Sequence, residues 1–439
     1  MAVQGVAPSL WGPLSDTHGR RITFISTFAV YLVATICLVF SKSLAGLMVF
    51  RALQAAGSAA TISVGAGVIG DITTAKERGG FMGSFGGIRM LGQSIGPVIG
   101  GIVSEYFGYH AIFWFLFILG SVALLVVLLF LPETLHRIAG NGTVPLSGVN
   151  RPFIHHSLSR HYWQKTPSYS KDRDEEIART APKISMSSIL APLRFLCEKD
   201  VFATLAFGAV VYAIWSMMTA STTALFQPRF HLSNLQVGLI FLPNGAACVV
   251  GSCLTGSLLD RDYRVVENQY RTARGLPADV LLDHNKLADF PVSRARLRSS
   301  WYFAILFVLA AGGYGFAMAS PKFDSKQGMA LPLVLQFIIA FTATAIFTQN
   351  SALMVDLYPG AGAGATAVNN LIRCSIGALG VAVVQLIIDA LGAGLTFLVL
   401  AAISAAMSPL LWLQWAHGEE WREARMKRLA SREAENTAA

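Results

Sequence analysis

Apolar residues run along this chain in long blocks, broken by short polar turns and by a few charged segments. A helix needs about 20 apolar residues to cross the hydrocarbon of a bilayer. Charge-poor runs of that order lie at 22–41, 44–70, 79–104, 106–131, 201–227, 231–259, 300–320, 328–355, 363–388 and 393–416, and they predict ten spans. A shorter apolar piece, Met1 to Trp11, precedes them and ends in Gly12-Pro13-Leu14-Ser15-Asp16. It is expected to be the second half of a helix whose beginning is missing. The spans group as four and six around the polar segment 132–200, rich in Ser, Pro, His and charge. The predicted order is a helical bundle over 1–131, a mobile central loop over 132–200, a six-helix bundle over 201–416 with a loop at 260–299, and a tail over 417–439. Two six-helix halves lacking the first span and half of the second would have this pattern. The tail alternates acid and base and is expected to be an exposed helix.

Composition narrows the class. The chain is 54% hydrophobic and only 13% charged, against about 25% charged in an average soluble domain. The three charged segments 132–200, 260–299 and 417–439 hold 41 of the 59 Lys, Arg, Asp and Glu. A soluble cytosolic enzyme, a disordered chain and a disulfide-stapled secreted domain are excluded, which leaves an all-α polytopic membrane protein. The N-terminus has neither the charged start nor the cleavage-like end of a signal peptide. Four of the five cysteines sit inside apolar runs, and none has CxxC or Cys/His spacing, so no metal, cofactor or disulfide is expected. No nucleophile–base pair and no HExxH occurs within the spans, which argues against a membrane enzyme.

Charge also predicts orientation. With the Asp16–Arg21 turn on the cytoplasmic side, 27 of the 34 Lys and Arg are cytoplasmic. The loops 132–200 and 260–299 and the C-terminus fall on that side. The net charge of +9 is then a matter of topology and requires no nucleic-acid partner. The sequon Asn141-Gly142-Thr143 is expected to be unglycosylated.

The two halves echo each other. Gly12-Pro13-Leu14-Ser15-Asp16 and Gly256-Ser257-Leu258-Leu259-Asp260 are both G-x-L-x-D at the end of a span. Ile88-Arg89 and Ile372-Arg373 each lie about ten residues into corresponding spans. Repeated halves with a site between them are a common transporter architecture.

At these residues the sequence resembles the major facilitator superfamily. Gly12 to Arg21 matches the loop signature G-x-L-x-D-x-x-G-R-R, with Thr17 in place of the usual Arg. Gly92-x-x-x-Gly96-Pro97-x-x-Gly100-Gly101 matches the antiporter motif of the fifth span. Arg51-Ala52-Leu53-Gln54-Ala55-Ala56-Gly57 keeps the Arg and Gln of the fourth-span motif but has Ala55 where Gly is usual. Pro132-Glu133-Thr134-Leu135 closes the sixth span as the family does. With Asp356-Leu357-Tyr358-Pro359 and Asn369-Asn370-Leu371-Ile372-Arg373, the chain is similar to the fungal twelve-span drug:proton antiporter branch, which includes exporters of quinidine-like drugs, amino acids and citrate-type acids. The resemblance implies two pseudo-symmetric bundles, alternating access, a monomer, and a link between Arg51 and proton coupling.

The residues carry their own chemistry. Asp16 at the turn can pair with Arg20 or Arg21, or sit at a helix N-terminus, and so latch one conformation; plain positive-inside anchoring is the alternative. Gly12 would allow close helix approach and Gly19 the tight turn. Gly96, Pro97 and Gly100 would set packing and a kink in the fifth span. Gln54 and Asp260 complete the expected coupling and gating set. Arg89, Arg373 and Arg51 lie at depth, where a charge is costly and usually faces a cavity or a partner. At 1.5 Å per residue, Arg89 and Arg373 lie about 15 Å from the cytoplasmic edge. No carboxylate accompanies them within the spans, which favours an anionic substrate over a cation. Guanidinium forks bind carboxylates bidentately. Gln93, Asn369 and Asn370 are placed to add hydrogen bonds, and structural bonding of each arginine is the alternative. Tyr212, Trp215, Phe226, Gln227, Gln336, Gln349 and Asn350 are weaker cavity candidates, more simply read as packing.

The sequence therefore points to an exporter of a small organic anion, citrate-type in preference, driven by protons or another ion gradient. A cationic drug:proton antiporter is the second reading, and a non-transporting remnant or sensor a third of another class.

Overall fold

The computed structural model describes residues 1–72, 78–139, 150–151, 153, 198–275, 290–323, 327–357 and 362–438. Most of the expected central loop, including His155, His156 and His161, lies outside the described residues. Among the described residues the fold is all-helical, with a 3-10 turn at Pro321–Phe323 and no strand.

Contacts divide the chain into two compact units, Met1–Met82 with Tyr106–Pro192, and Gly83–Glu105 with Leu193–Ala439. The first is built from α1 (Ala2–His18), α2 (Arg20–Val39), α3 (Leu44–Ile72) and α5 (Tyr109–Phe130), with a short α6 (His136–Ala139). The helix α4 (Arg78–Phe107) carries Arg89, and its central part groups with the second unit. That unit continues with α7 (Lys199–Phe230), α8 (Asn234–Ile240), α9 (Leu242–Arg274), α10 (Val292–Leu297), α11 (Ser300–Ala319), α12 (Ala330–Leu357), α13 (Gly362–Met407) and α14 (Pro409–Ala438).

Among the described residues, eight stretches are long and apolar enough to cross a membrane. One of them, Val368–Arg428, covers 61 residues, and non-helical backbone at Gly392 (φ 77°) breaks it between the two spans expected there. In α4 the described apolar part is Ile95–Phe107. The expected span 231–259 is not one helix. Ser233 caps α8 through a capping box with Gln236, the chain turns at Phe241, and Pro243 opens α9. That helix runs on to Arg274, so the first part of the expected loop 260–299 is helical.

The first turn also differs from expectation. The segment Gly12 to His18 is helical, because Pro13 sits within α1 without ending it. The reversal is confined to Gly19 (φ 105°), a left-handed conformation that glycine adopts without strain. A Cβ there would collide with the Glu133 carboxylate.

The tail is helical, yet not simply exposed. Arg422 and Arg425 of α14 are 3% and 4% exposed. Arg425 ion-pairs with Asp200 at the start of α7 and donates to the Leu357 carbonyl at 3.0 Å. Arg422 donates to the Phe290 carbonyl at 3.1 Å, and Arg428 meets Glu198 at 2.7 Å. The i, i+3 spacing of the two buried arginines gives α14 a docked face that its alternating charge does not reveal.

Candidate functional site

The polar centre of the second unit forms around Arg373. Helix α13 presents its side chain, 9% exposed, between two aromatic rings. The guanidinium carbon lies 4.5 Å from the Tyr212 ring centroid and 3.9 Å from that of Phe347, so α7 and α12 together hold the cation. One Nη donates to Asn370 Oδ1 at 2.6 Å. The Nε is buried and has no hydrogen-bond partner among the described residues. A desolvated donor without an acceptor is costly unless a ligand completes it.

Arg89 lies close enough to Arg373 for the two positive charges to repel, and both are near Tyr212 and Cys374. Among the described residues no carboxylate partners either arginine. Two buried or half-buried cations without a counter-charge are balanced when an anion enters, and a dicarboxylate can take one guanidinium at each end.

The other expected binding residues divide. Asn370 is the partner of Arg373, whereas the buried Asn369 reaches Ser351 on α12 at 3.5 Å. The Gln93 side chain lies outside the described residues. Trp215 bonds Asn244 Oδ1 at 2.9 Å and Phe226 is fully buried. Gln336 bonds Thr222 and Tyr314, Gln349 bonds Ser299 and Ser300, and Asn350 reaches the Thr204 carbonyl. These are contacts between packed helices.

In the first unit the charged cluster sits at the junction of α1 and α2. Arg20 contacts Asp16 at 2.5 Å, Asp71 at 2.9 Å and Ser15 Oγ at 2.8 Å, so it joins the ends of α1 and α3. Arg21, 1% exposed, does something else: it donates to the Val127, Leu128 and Leu131 carbonyls at the end of α5. Glu133, just past that end, accepts from the backbone N–H groups of Arg20 (2.8 Å) and Arg21 (3.1 Å), and also from Thr134 and Leu135 (both 3.0 Å). Thus α2 and α5 cap each other, a cation on free carbonyls and a carboxylate on free N–H groups, each complementing the local helix dipole. Glu133 belonged to the motif that closes the sixth span, but nothing in its spacing showed which helix it would cap.

Several expected roles change. Among the described residues, a Cβ at Gly12, Gly96 or Gly100 would meet nothing within 4 Å, so none of them makes the close approach expected there. It occurs at Gly101, where a Cβ would lie 2.8 Å from the Asn234 carbonyl oxygen, and at Gly238, where it would lie 2.7 Å from that of Pro97. These contacts bring α4 against α8. The helix continues through Pro97. Asp260 is exposed, and its carbonyl accepts from Arg264 Nε at 3.3 Å; among the described residues its carboxylate forms no ion pair. An ion pair at that end of the second unit joins Arg296 to Asp356 at 2.6 Å, at the end of α12 as Asp71 is at the end of α3. Arg51 is exposed; it bonds Gln54 at 3.1 Å and lies 5.0 Å from the Phe113 ring centroid. Gln54 passes the connection to Thr35 at 2.9 Å. Among the described residues no group of three His, Cys, Asp or Glu is arranged to hold a metal.

Comparison with known proteins agrees with this architecture. The family profile "Major Facilitator Superfamily" matches residues 1–277. The chain is 51% identical over 432 residues to citrate exporter 1 of Aspergillus niger, covering 98% of this chain and 80% of that protein. It is 31% identical over 391 residues to the MFS antiporter QDR2 of Candida albicans (88% and 73% covered). It is 30% identical over 434 residues to quinidine resistance protein 1 of Saccharomyces cerevisiae (95% and 75%). Among solved structures, the human organic anion transporter MFSD10 has the same fold, with TM-score 0.55, 17% identity and coverage of 93% of this chain and 81% of that one. The chain is an integral membrane transport protein and belongs to the major facilitator superfamily.

Proposed function

We propose that this protein exports citrate or a closely similar tricarboxylate by alternating access, with Arg89 and Arg373 as the anion-binding pair. One observation carries the reading: two like charges near each other, one of them buried with an unbonded Nε, and no carboxylate partner among the described residues. The 51% identity to the citrate exporter of Aspergillus niger supports the same substrate. Asn370 and the Tyr212–Phe347 pair orient Arg373. Arg51, Gln54 and Thr35 form the polar chain of the first unit to which we assign proton coupling. The Arg20–Asp16–Asp71 cluster and the Arg296–Asp356 pair act as gates at one membrane side, which the positive-inside bias assigns to the cytoplasm of a plasma-membrane monomer.

The kinship to quinidine-resistance antiporters supports a second reading, efflux of a cationic drug. Counterflow of labelled citrate in proteoliposomes separates the two. Saturable citrate flux, lost in Arg89→Ala and Arg373→Ala, is expected. Quinidine flux indifferent to both substitutions, with no citrate flux in the unaltered protein, would overturn the anion reading.

A further inference from the structure

The tail helix α14 carries charge chemistry that the anion site does not use. Its arginines fasten it to the second unit at three successive points. Arg422 holds the Phe290 carbonyl, Arg425 the Asp200 carboxylate and the Leu357 carbonyl, and Arg428 the Glu198 carboxylate at 2.7 Å. The first two are buried, whereas the Arg428 side chain is 62% exposed, so its attachment is screened by water and weak. Ser431 follows Arg428 by three residues. It is exposed, and its Oγ donates to the Arg428 carbonyl at 3.0 Å.

Lys427-Arg428-Leu429-Ala430-Ser431 sets two cations just ahead of a hydroxyl, with the arginine three residues before it. Basophilic protein kinases select this arrangement, because acidic groups in their substrate cleft pair with the preceding cations. In this chain an Arg stands three residues before a Ser or Thr at Arg20–Thr23, Arg296–Ser299 and Arg428–Ser431. Thr23 and Ser299 are 1% and 6% exposed, which closes them to an enzyme, and Ser431 alone of the three is exposed. A kinase takes its substrate as an extended segment. It therefore engages Ser431 only when the end of α14 is unwound and Arg428 is off Glu198.

We propose that Ser431 is a phosphorylation site for a kinase of this class, and that phosphate there holds the end of α14 off the start of α7. The γ-phosphoryl group of ATP passes to Ser431 Oγ. The bond from the γ-phosphorus to the bridging oxygen breaks and ADP leaves; an O–P bond forms on Ser431, and its hydroxyl proton goes to the kinase's carboxylate base. The phosphoserine carries nearly two negative charges. Lys427 and Arg428 lie within about one turn and pair with it, which takes Arg428 from Glu198. The same charge repels Glu198 and Asp200, the acids at the start of α7. Docking and modification oppose each other through one arginine, so each weakens the other. Access by a cellular kinase rests on the cytoplasmic placement of the tail proposed above.

The test incubates the full chain, purified in mild detergent, with ATP and the catalytic subunit of an Arg-directed kinase, and maps modified residues by peptide mass spectrometry. Phosphate is expected on Ser431 and not on Thr23 or Ser299. Glu198→Gln, which releases Arg428, should speed modification of Ser431 by about 1.4- to 5-fold, the factor that a surface ion pair supplies. Arg428→Gln should slow it, since the kinase loses its own contact. Hydrogen exchange at the backbone amides of 422–431 should be faster after phosphorylation, with no change in Ser431→Ala treated alike. Absence of phosphate on Ser431, or equal rates in Glu198→Gln and the unaltered protein, overturns the proposal. Unchanged or slower exchange in the phosphorylated helix overturns the release of α14. Sealed vesicles distinguish the site from its placement: with kinase and ATP outside, label on Ser431 is expected in inside-out vesicles only. Label confined to right-side-out vesicles overturns the cytoplasmic tail, and with it access by a cellular kinase, even where Ser431 is modified in detergent.

Discussion

Replacing Arg373 with lysine separates charge from shape at the anion site. The guanidinium is buried, lies 4.5 Å from the Tyr212 ring centroid and 3.9 Å from that of Phe347, and donates to Asn370 at 2.6 Å. Lysine keeps the positive charge, so the attraction for an anion persists. It gives up the planar fork, and with it one arm of a bidentate carboxylate contact, worth about 1.5–3 kcal/mol for a charged hydrogen bond. It also gives up the stacked position that fixes the fork, since an ammonium is a point charge on a flexible stem. A net loss of about 2–3 kcal/mol corresponds to citrate binding weakened roughly 30- to 150-fold. The assay is the citrate dependence of efflux from proteoliposomes, with a citrate-binding isotherm on the detergent-purified protein beside it. Arg373→Gln, which also removes the charge, should be weaker still. If Arg373→Lys and Arg373→Gln both bind citrate within threefold of the unaltered protein, Arg373 serves only to join α7, α12 and α13, and the two-arginine site is wrong.

Three further outcomes follow from the geometry. Arg89→Gln removes one of two repelling cations, so it should raise the unfolding midpoint in the absence of citrate while erasing the stabilisation that citrate confers, about 2.7 kcal/mol at one hundred times Kd; a lower midpoint without citrate argues against the repulsion. Glu133→Gln turns an amide toward N–H groups that the carboxylate now accepts, and should cost about 1–3 kcal/mol in thermal or denaturant unfolding with little effect on citrate affinity. Asp200→Asn and Arg425→Gln should each destabilise by about 3–5 kcal/mol, because each leaves a buried charge unpaired, whereas the double variant should lose less than the sum; additive losses would mean that the pair is not coupled.

Much of this molecule is legible along the chain. A bilayer leaves a helix few options, so the apolar runs marked nearly every helix, and the echo of Arg89 by Arg373 marked the residues that the fold brings together. What the pattern could not show were partners distant in sequence. Glu133 meets the backbone of Arg20 across 113 positions, and Arg425 meets Asp200 across 225. Phe347 had no signal, since it is one of 27 phenylalanines, and Tyr212 was one aromatic among several in an apolar span. The glycine motif of α4 marked the right helix, but which glycine takes the contact depends on the face turned toward α8, and that face carries Gly101 and not Gly96 or Gly100.

The sequence by itself determined the class of the protein, most of its apolar helices, its charged ends and the presence of arginines with acids only at the ends of their helices. These follow from local composition, because transfer from water to hydrocarbon acts on each segment separately. Tertiary structure decided which charges are partnered. It neutralised Arg20 with Asp71, spent Arg21 on the carbonyls of α5, docked the tail through Arg425, and left Arg373 between two rings with an Nε that has no partner among the described residues. A charge is stabilised by whatever lies a few ångströms away in space, and only packing brings those neighbours within reach.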